Sequence, residues 1–149
     1  MEPRFLLDTN ICIYIRRKKP EGVLRRFRGL KQGEAGLSVI TFGELMYGAE
    51  KSAQRAAALE LLQGLAQVLP VLDLPDTAAE AYGRIRAELE RAGQMIGNND
   101  LWIAAHARAA GLTLITNNER DFRRVRGLKV ENWAVWRACH APRVPRGQA

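Results

Sequence analysis

The chain has 149 residues, 47% of them hydrophobic, with 23 Lys and Arg against 16 Asp and Glu and a net charge of +7. That length and apolar content fit one domain around one core and exclude general disorder, and no apolar run reaches the span of a bilayer. The excess of cations favours a polyanionic partner, nucleic acid or an acidic protein, without choosing between them.

Taken in order, Arg4-Phe5-Leu6-Leu7 reads as a buried strand that delivers Asp8 at its C-terminal end. Thr9 or Asn10 is suited to cap a helix over 11–17, which the cations Arg16, Arg17, Lys18 and Lys19 and then Pro20 close. A second helix is predicted over 21–30, with Val23, Leu24, Phe27 and Leu30 on one side, and a second strand over 35–39. Thr41 is placed to cap the next helix, with Glu44 three residues later in the spacing of a capping box. An Ala/Leu-rich helix is expected over 52–68, an extended segment over 70–74, and a long helix from Pro75-Asp76-Thr77 to about Ala92, stopped by Gly93. Asn98 or Asn99 can cap the helix after that, which puts Asp100 in its first turn, where the helix dipole favours negative charge. Ala104, Ala105, Ala107, Ala109 and Ala110 let this helix pack closely, and Gly111 ends it. A buried strand over 112–116, a loop over 116–122 and a last strand over 128–133 complete the alternation. The domain is expected to end at residue 137, followed by a frayed basic tail, 138–149. Cys12 and Cys139 form no metal pattern and read as thiols of a reducing compartment; with no signal peptide visible, a cytoplasmic protein is expected.

Short apolar strands alternating with helices predict an α/β fold, a parallel sheet covered on both faces. In such sheets functional groups gather beyond the C-terminal strand ends. Asp8, Asp100 and an acid of the 116–122 loop lie at or next to such ends, and Glu44 lies one turn into a helix that follows a strand. Each acid has a local structural explanation as a cap or first-turn residue. Together they would repel by about 3 kcal/mol per pair at about 6 Å and an effective dielectric near 20, so a convergent set calls for a divalent cation, protons or a basic partner. Carboxylates, with Asn10, Asn99 and Thr116 as neutral oxygen donors, suit Mg²⁺ or Mn²⁺. Zinc is disfavoured, since His106 and His140 are the only histidines and neither pairs with a Cys; His106, six residues past Asp100, reads as a packing or surface residue. The chain has no P-loop, no GxGxxG after a strand and no GxSxG elbow. Asp8-Thr9-Asn10 lacks the second Asp that an aspartyl-phosphatase needs at position 10.

Four segments carry a resemblance: Leu6-Leu7-Asp8-Thr9-Asn10, Ile40-Thr41-Phe42-Gly43-Glu44-Leu45, Ile96 to His106, and Leu114 to Phe122 with Val130-Glu131-Asn132-Trp133. In this order and with these gaps the sequence resembles PIN-domain proteins of the VapC type, the toxin half of a bacterial toxin–antitoxin pair. The resemblance runs from about residue 4 to 133. It implies a three-layer α/β/α fold with strand order 3-2-1-4-5, usually dimeric, and a magnesium-dependent endoribonuclease inhibited by a VapB-type antitoxin. It assigns Asp8, Glu44 and Asp100 to the metal site. The fourth acid is Asp121 or Glu119, because many PIN proteins carry an acid where Asn118 stands here. Mg²⁺ on these acids, with Mn²⁺ as a substitute, would activate a water for in-line attack, leaving a 5′-phosphate and a 3′-hydroxyl. Arg16, Arg17, Lys18 and Lys19, and Arg123, Arg124 and Arg126, are candidates to hold phosphates of single-stranded or loop RNA, tRNA included; the alternative for these runs is a solvated face. A PIN nuclease of RNA processing without an antitoxin, and a catalytically inactive RNA-binding module, are the rival readings.

Overall fold

The structure is a computed structural model and describes residues 2–134. The expected domain end at 137, the tail over 138–149, Cys139 and His140 lie outside the described residues.

The central strand is β1 (Phe5–Leu7), paired in parallel with β2 (Ala35–Ser38) on one side and β4 (Thr113–Ile115) on the other. The short strands β3 (Val71–Leu72) and β5 (Val130–Glu131) add outside these, giving a parallel five-stranded sheet of order β3-β2-β1-β4-β5. This is the order the VapC resemblance implies. Helices α1 (Thr9–Arg17), α2 (Glu21–Arg28), α3 (Val39–Glu50), α4 (Arg55–Val68), α5 (Ala78–Ala92) and α6 (Asn98–Ala110) cover it, and a turn of helix, α7 (Glu119–Phe122), follows β4. No helix among the described residues is long and apolar enough to cross a membrane.

Because helices cover both faces, every side chain of β1 is apolar and buried. Successive side chains point to opposite faces, and they enter different cores. Phe5 and Leu7 pack with Ile11, Leu62, Leu65 and Trp133, whereas Leu6 packs with Ile85, Leu101, Ile103 and Leu114. Cys12 is buried in the first of these cores as a free thiol. The sheet is drawn tight at Gly36: a Cβ there would stand 2.9 Å from Leu72 side-chain carbons and 3.0 Å from the Pro70 carbonyl oxygen. Gly93 and Gly111 adopt left-handed φ angles of 66° and 68° and close α5 and α6, as expected of glycines at these ends.

The helix starts differ from the sequence expectation, and each difference shapes the site. Asp8, rather than Thr9 or Asn10, caps α1; its Oδ1 accepts from the Ile11 N–H at 3.1 Å. Ser38 rather than Thr41 caps α3, its Oγ accepting from the Ile40 N–H at 3.2 Å. Thr41 therefore lies inside the helix, fully buried, and Glu44 is released from a capping box. α6 begins after Gly97 with no side-chain cap; Asn98 instead accepts from the Tyr82 hydroxyl at 2.6 Å. In the first two cases the helix begins as soon as the strand ends, so the polar residue at that junction does the capping, Asp8 directly after β1 and Ser38 as the last residue of β2. α4 starts at Arg55 rather than 52, the strands are shorter than expected, and part of the 116–122 loop is helical.

Gly36→Ala is expected to destabilise the domain by about 1–3 kcal/mol, because the methyl group must displace both Leu72 and the strand behind it. Urea denaturation reads this directly as a lower midpoint with an unchanged slope.

Candidate functional site

Asp8 leaves the C-terminal end of β1, and Thr116 leaves the end of the adjacent β4. Chain connections depart from β1 and β4 in opposite directions, which opens a crevice at this point in such sheets. The Thr116 hydroxyl donates to Asp8 Oδ2 across it. Asp8 is only 5% exposed, and burial pushes its carboxyl up to about 6 even though Thr116 and the Ile11 N–H favour the charged form; the charge of Asp100 adds to the rise. Asp100, in the first turn of α6, is half-buried. Its pKa is raised by burial first, then by Glu44 and by Asp121. Asp100 is thus an electrostatic neighbour of all three other acids.

Each remaining acid is held by a neighbour. Thr9, in the first turn of α1, donates to Glu44 Oε1 at 3.0 Å and ties α1 to α3. Asn118 donates through Nδ2 to Asp121 Oδ2 at 3.2 Å, while Arg124 lies 3.8 Å from Asp121 Oδ1. An open crevice of about 670 Å³, lined by Thr9, Ile40, Gly43, Glu44, Tyr47 and Asn99, reaches this cluster from the α3 side. Among the described residues no three His, Cys, Asp or Glu side chains already enclose one point as a ligand cage.

A further layer sets the positions of these groups. His106 is 1% exposed, and its Nδ1 lies 2.9 Å from Ser38 Oγ, the cap of α3. Burial lowers its pKa, so it joins the helix of Asp100 to the helix of Glu44 as a neutral group. The loop after β4 is braced from β5: Asn132, 2% exposed, donates to Asn117 Oδ1 at 3.0 Å and Glu119 Oε2 at 3.2 Å. Glu119 also pairs with Arg123 at 2.8 Å, so of the two candidates for the fourth acid Asp121 is the one set against Asp100. The cationic runs separate. Arg124 reaches the acids. Arg16 lies at the far end of α1, about 10 Å along the helix from its start, where it borders a groove with Leu61, Leu65 and Val68 of α4. Arg17, Lys18 and Lys19 follow it there, exposed.

The PIN domain family matches residues 5–128 of the chain. Over 131 residues, 88% of this chain and 98% of the relative, the sequence is 47% identical to the tRNA(fMet)-specific endonuclease VapC of Shigella flexneri. The chain belongs to the PIN-domain family. A second VapC relative, Ribonuclease VapC2 of Haemophilus influenzae, is 43% identical over 87% of this chain and 98% of its own length. The crystal structure of DNA-bound VapBC from Salmonella typhimurium matches this PIN domain with a TM-score of 0.82 at 44% identity, covering 88% of this chain and 98% of that one. VapBC2 from Rickettsia felis, bound to a fragment of its promoter, matches with a TM-score of 0.81 at 38% identity, over 87% of this chain and 98% of that one.

The sequence reading missed Thr9, Ser38, His106 and Asn132 of this PIN domain as positioning groups. Their partners are 35, 2, 68 and 13 to 15 residues away, and only the Ser38 cap is local enough to be read from spacing.

Asp8 carries a testable pH signature. A carboxyl raised from 3.8 to about 6 contributes stability that is present below pH 3.8 and lost as pH rises through 6. The gap of about two units is worth roughly 3 kcal/mol. Asp8→Asn keeps an acceptor for the Ile11 N–H and removes the buried charge. In EDTA the variant should exceed wild type in stability at neutral pH by up to about 3 kcal/mol, with the advantage fading towards pH 4. Urea denaturation across that range checks it; an advantage independent of pH would show that the carboxylate charge is not its source.

Proposed function

We propose that this PIN domain is the toxin of a toxin–antitoxin pair, a Mg²⁺-dependent endoribonuclease that cuts single-stranded or loop RNA at the Asp8–Asp100 crevice. One observation carries the reading: Asp8, just after β1, and Asp100, in the first turn of α6, converge with Glu44 and Asp121 in one crevice, and burial together with the neighbouring carboxylates raises the pKa of both Asp8 and Asp100 above the ordinary carboxylate range. Among the described residues neither carboxylate is in an ion pair, and the cation beside the acid beyond them, Asp121, is Arg124 at 3.8 Å. Such crowding is relieved by a divalent cation.

The donor set fits magnesium. All the groups offered are oxygens, and Mg²⁺ keeps several waters while taking one or two carboxylates plus substrate phosphate, so a closed protein cage is not required. Asp8 and Asp100 would hold the ion, Glu44 would orient the attacking water or help hold a second ion, and Asp121 would serve as the fourth acid. When bound, Mg²⁺ supplies Lewis-acid polarisation of the scissile phosphate and a lowered pKa for water. Thr116 and the Ile11 N–H keep Asp8 aimed and favour its ionised form, and Thr9 fixes Glu44. Mn²⁺ would substitute. In-line attack by water would leave a 5′-phosphate and a 3′-hydroxyl.

The name of the Shigella relative makes the initiator tRNA the first substrate to test. The VapBC complexes of Salmonella and Rickettsia support a VapB-type antitoxin as partner. The same reading includes a homodimer and a cytoplasmic site of action, where tRNA and antitoxin are both present. Co-expression with a VapB-type antitoxin should give a stable complex without nuclease activity.

The decisive experiment compares wild type with Asp100→Asn on total RNA, with and without EDTA, and sequences the new 5′ ends. Asp100→Asn should lose at least about 100-fold in cleavage, and Thr9→Val about 10-fold, as expected for a ligand and for a group that positions one. At about 10 mM Mg²⁺ and a Kd near 1 mM, linkage stabilises wild type by roughly 1.4 kcal/mol, a rise of about 3–6 °C in melting temperature. Near wild-type cleavage by folded Asp100→Asn, or wild-type cleavage undiminished in EDTA, would refute the metal-site assignment.

A further inference from the structure

Beside the acidic crevice the surface changes sign. The C-terminal turn of α5, the segment after it and the chain after α7 enclose a cleft of about 500 Å³, into which Arg91, Arg124 and Arg126 converge together with Gln94. Among the described residues Glu88 is the one acid on its wall. The cleft is continuous with the acids through Arg124. That guanidinium donates to the Met95 carbonyl oxygen at 3.1 Å and stands 3.8 Å from Asp121, which in turn faces Asp100. Arg124 is therefore fixed in place, on the boundary between the two charge regions.

Many arginines of this chain are neutralised locally. Arg4, Arg26, Arg55, Arg84, Arg86 and Arg123 each pair with a glutamate. Arg91 and Arg126 are exposed and have neither an ion pair nor a side-chain hydrogen bond among the described residues, although both border the same concavity. Two unpaired guanidiniums and a third already anchored, in one cleft, repel each other until an anion enters. The guanidinium fork matches the paired oxygens of a phosphodiester, and the amide of Gln94 adds a neutral donor.

We propose that the cleft of Arg91, Gln94, Arg124 and Arg126 is a phosphate subsite that holds the substrate RNA backbone next to the bond being cut. The inference rests on the nuclease reading above and adds to it a direction: the strand leaves the acids on the α5–α7 side, past Arg124. The subsite offsets the electrostatic problem of an acidic site that must receive a polyanion, since the flanking phosphates are attracted while the scissile one is brought to the carboxylates. It also assigns substrate binding to Arg91 at the end of α5 and Gln94 just beyond it, which the basic runs of the sequence do not include.

The test is binding of a fluorescein-labelled single-stranded oligoribonucleotide in EDTA as NaCl is varied, for wild type and for the double variant Arg91→Gln, Arg126→Gln. Loss of two phosphate contacts should reduce the slope of log affinity against log salt by about 1.4, so the change in affinity between about 50 and 200 mM salt shrinks by about sevenfold. Arg91→Lys with Arg126→Lys should keep most of the slope. A double variant of equal charge change elsewhere, Arg55→Gln with Arg84→Gln, should keep all of it. In cleavage with Mg²⁺ the loss should appear mainly in KM for long RNA and vanish for a substrate that ends one nucleotide beyond the scissile bond on the Arg124 side. Melting curves confirm that the exposed substitutions leave the fold intact. An unchanged slope in the Gln variant overturns the subsite. If the slope is unchanged and the variant instead fails to bind its antitoxin, the cleft belongs to an acidic protein segment and the RNA assignment is overturned. Because binding is read without metal, an absence of cleavage by wild type would count against the nuclease reading alone.

Discussion

The structure turns on one buried carboxylate. Asp8 ends the central strand, caps α1 through the Ile11 N–H, and receives the Thr116 hydroxyl from the neighbouring strand β4. A charge so enclosed costs free energy unless it is hydrogen-bonded or neutralised. Its hydrogen bonds offset only part of that cost, since burial still drives the pKa to about 6. The fold tolerates the remainder because β1 is held on both sides by parallel strands and on both faces by separate cores. A site that stores electrostatic strain must sit where the scaffold is least able to yield, and the end of the central strand is that place.

Much of this was legible in the chain. The alternation of short apolar runs with helical segments carried the α/β class, and the order of four motifs carried the strand order and the family. Asp8 was placed at a strand end and Asp100 in a first helical turn, and both stand there. The details that escaped are those that depend on three-dimensional pairing. Spacing made Glu44 the partner of Thr41 in a capping box, but α3 begins three residues earlier, at Ser38, and Glu44 turns to Thr9 on another helix. His106 was read as a packing or surface residue, and its burial agrees with the first alternative. Its hydrogen bond to Ser38, 68 residues away, has no counterpart in local periodicity. The basic runs looked equivalent along the sequence, yet only the one after α7 folds towards the acids.

The charge distribution explains how a protein of net charge +7 carries an acidic centre. The acids are set in the crevice and their repulsion is local, whereas the cations are spread over the surrounding surface, with Arg124 at the boundary. Long-range attraction brings a polyanion in, and short-range crowding decides what can settle between the carboxylates.

The brace from Asn132 to Asn117 and Glu119 has a consequence for the order in which the molecule becomes complete. Trp133, the next residue, packs edge-on against Phe5 at 5.5 Å between ring centres, so the end of the described chain closes over its beginning. A ribosome making this protein releases Asp8, Glu44 and Asp100 long before the segment that steadies the loop after β4. The nascent chain thus holds its acids without their final brace, and the loop acquires its native support only when synthesis has passed residue 133. The unfinished chain therefore carries every acid of the crevice before the crevice has its full support.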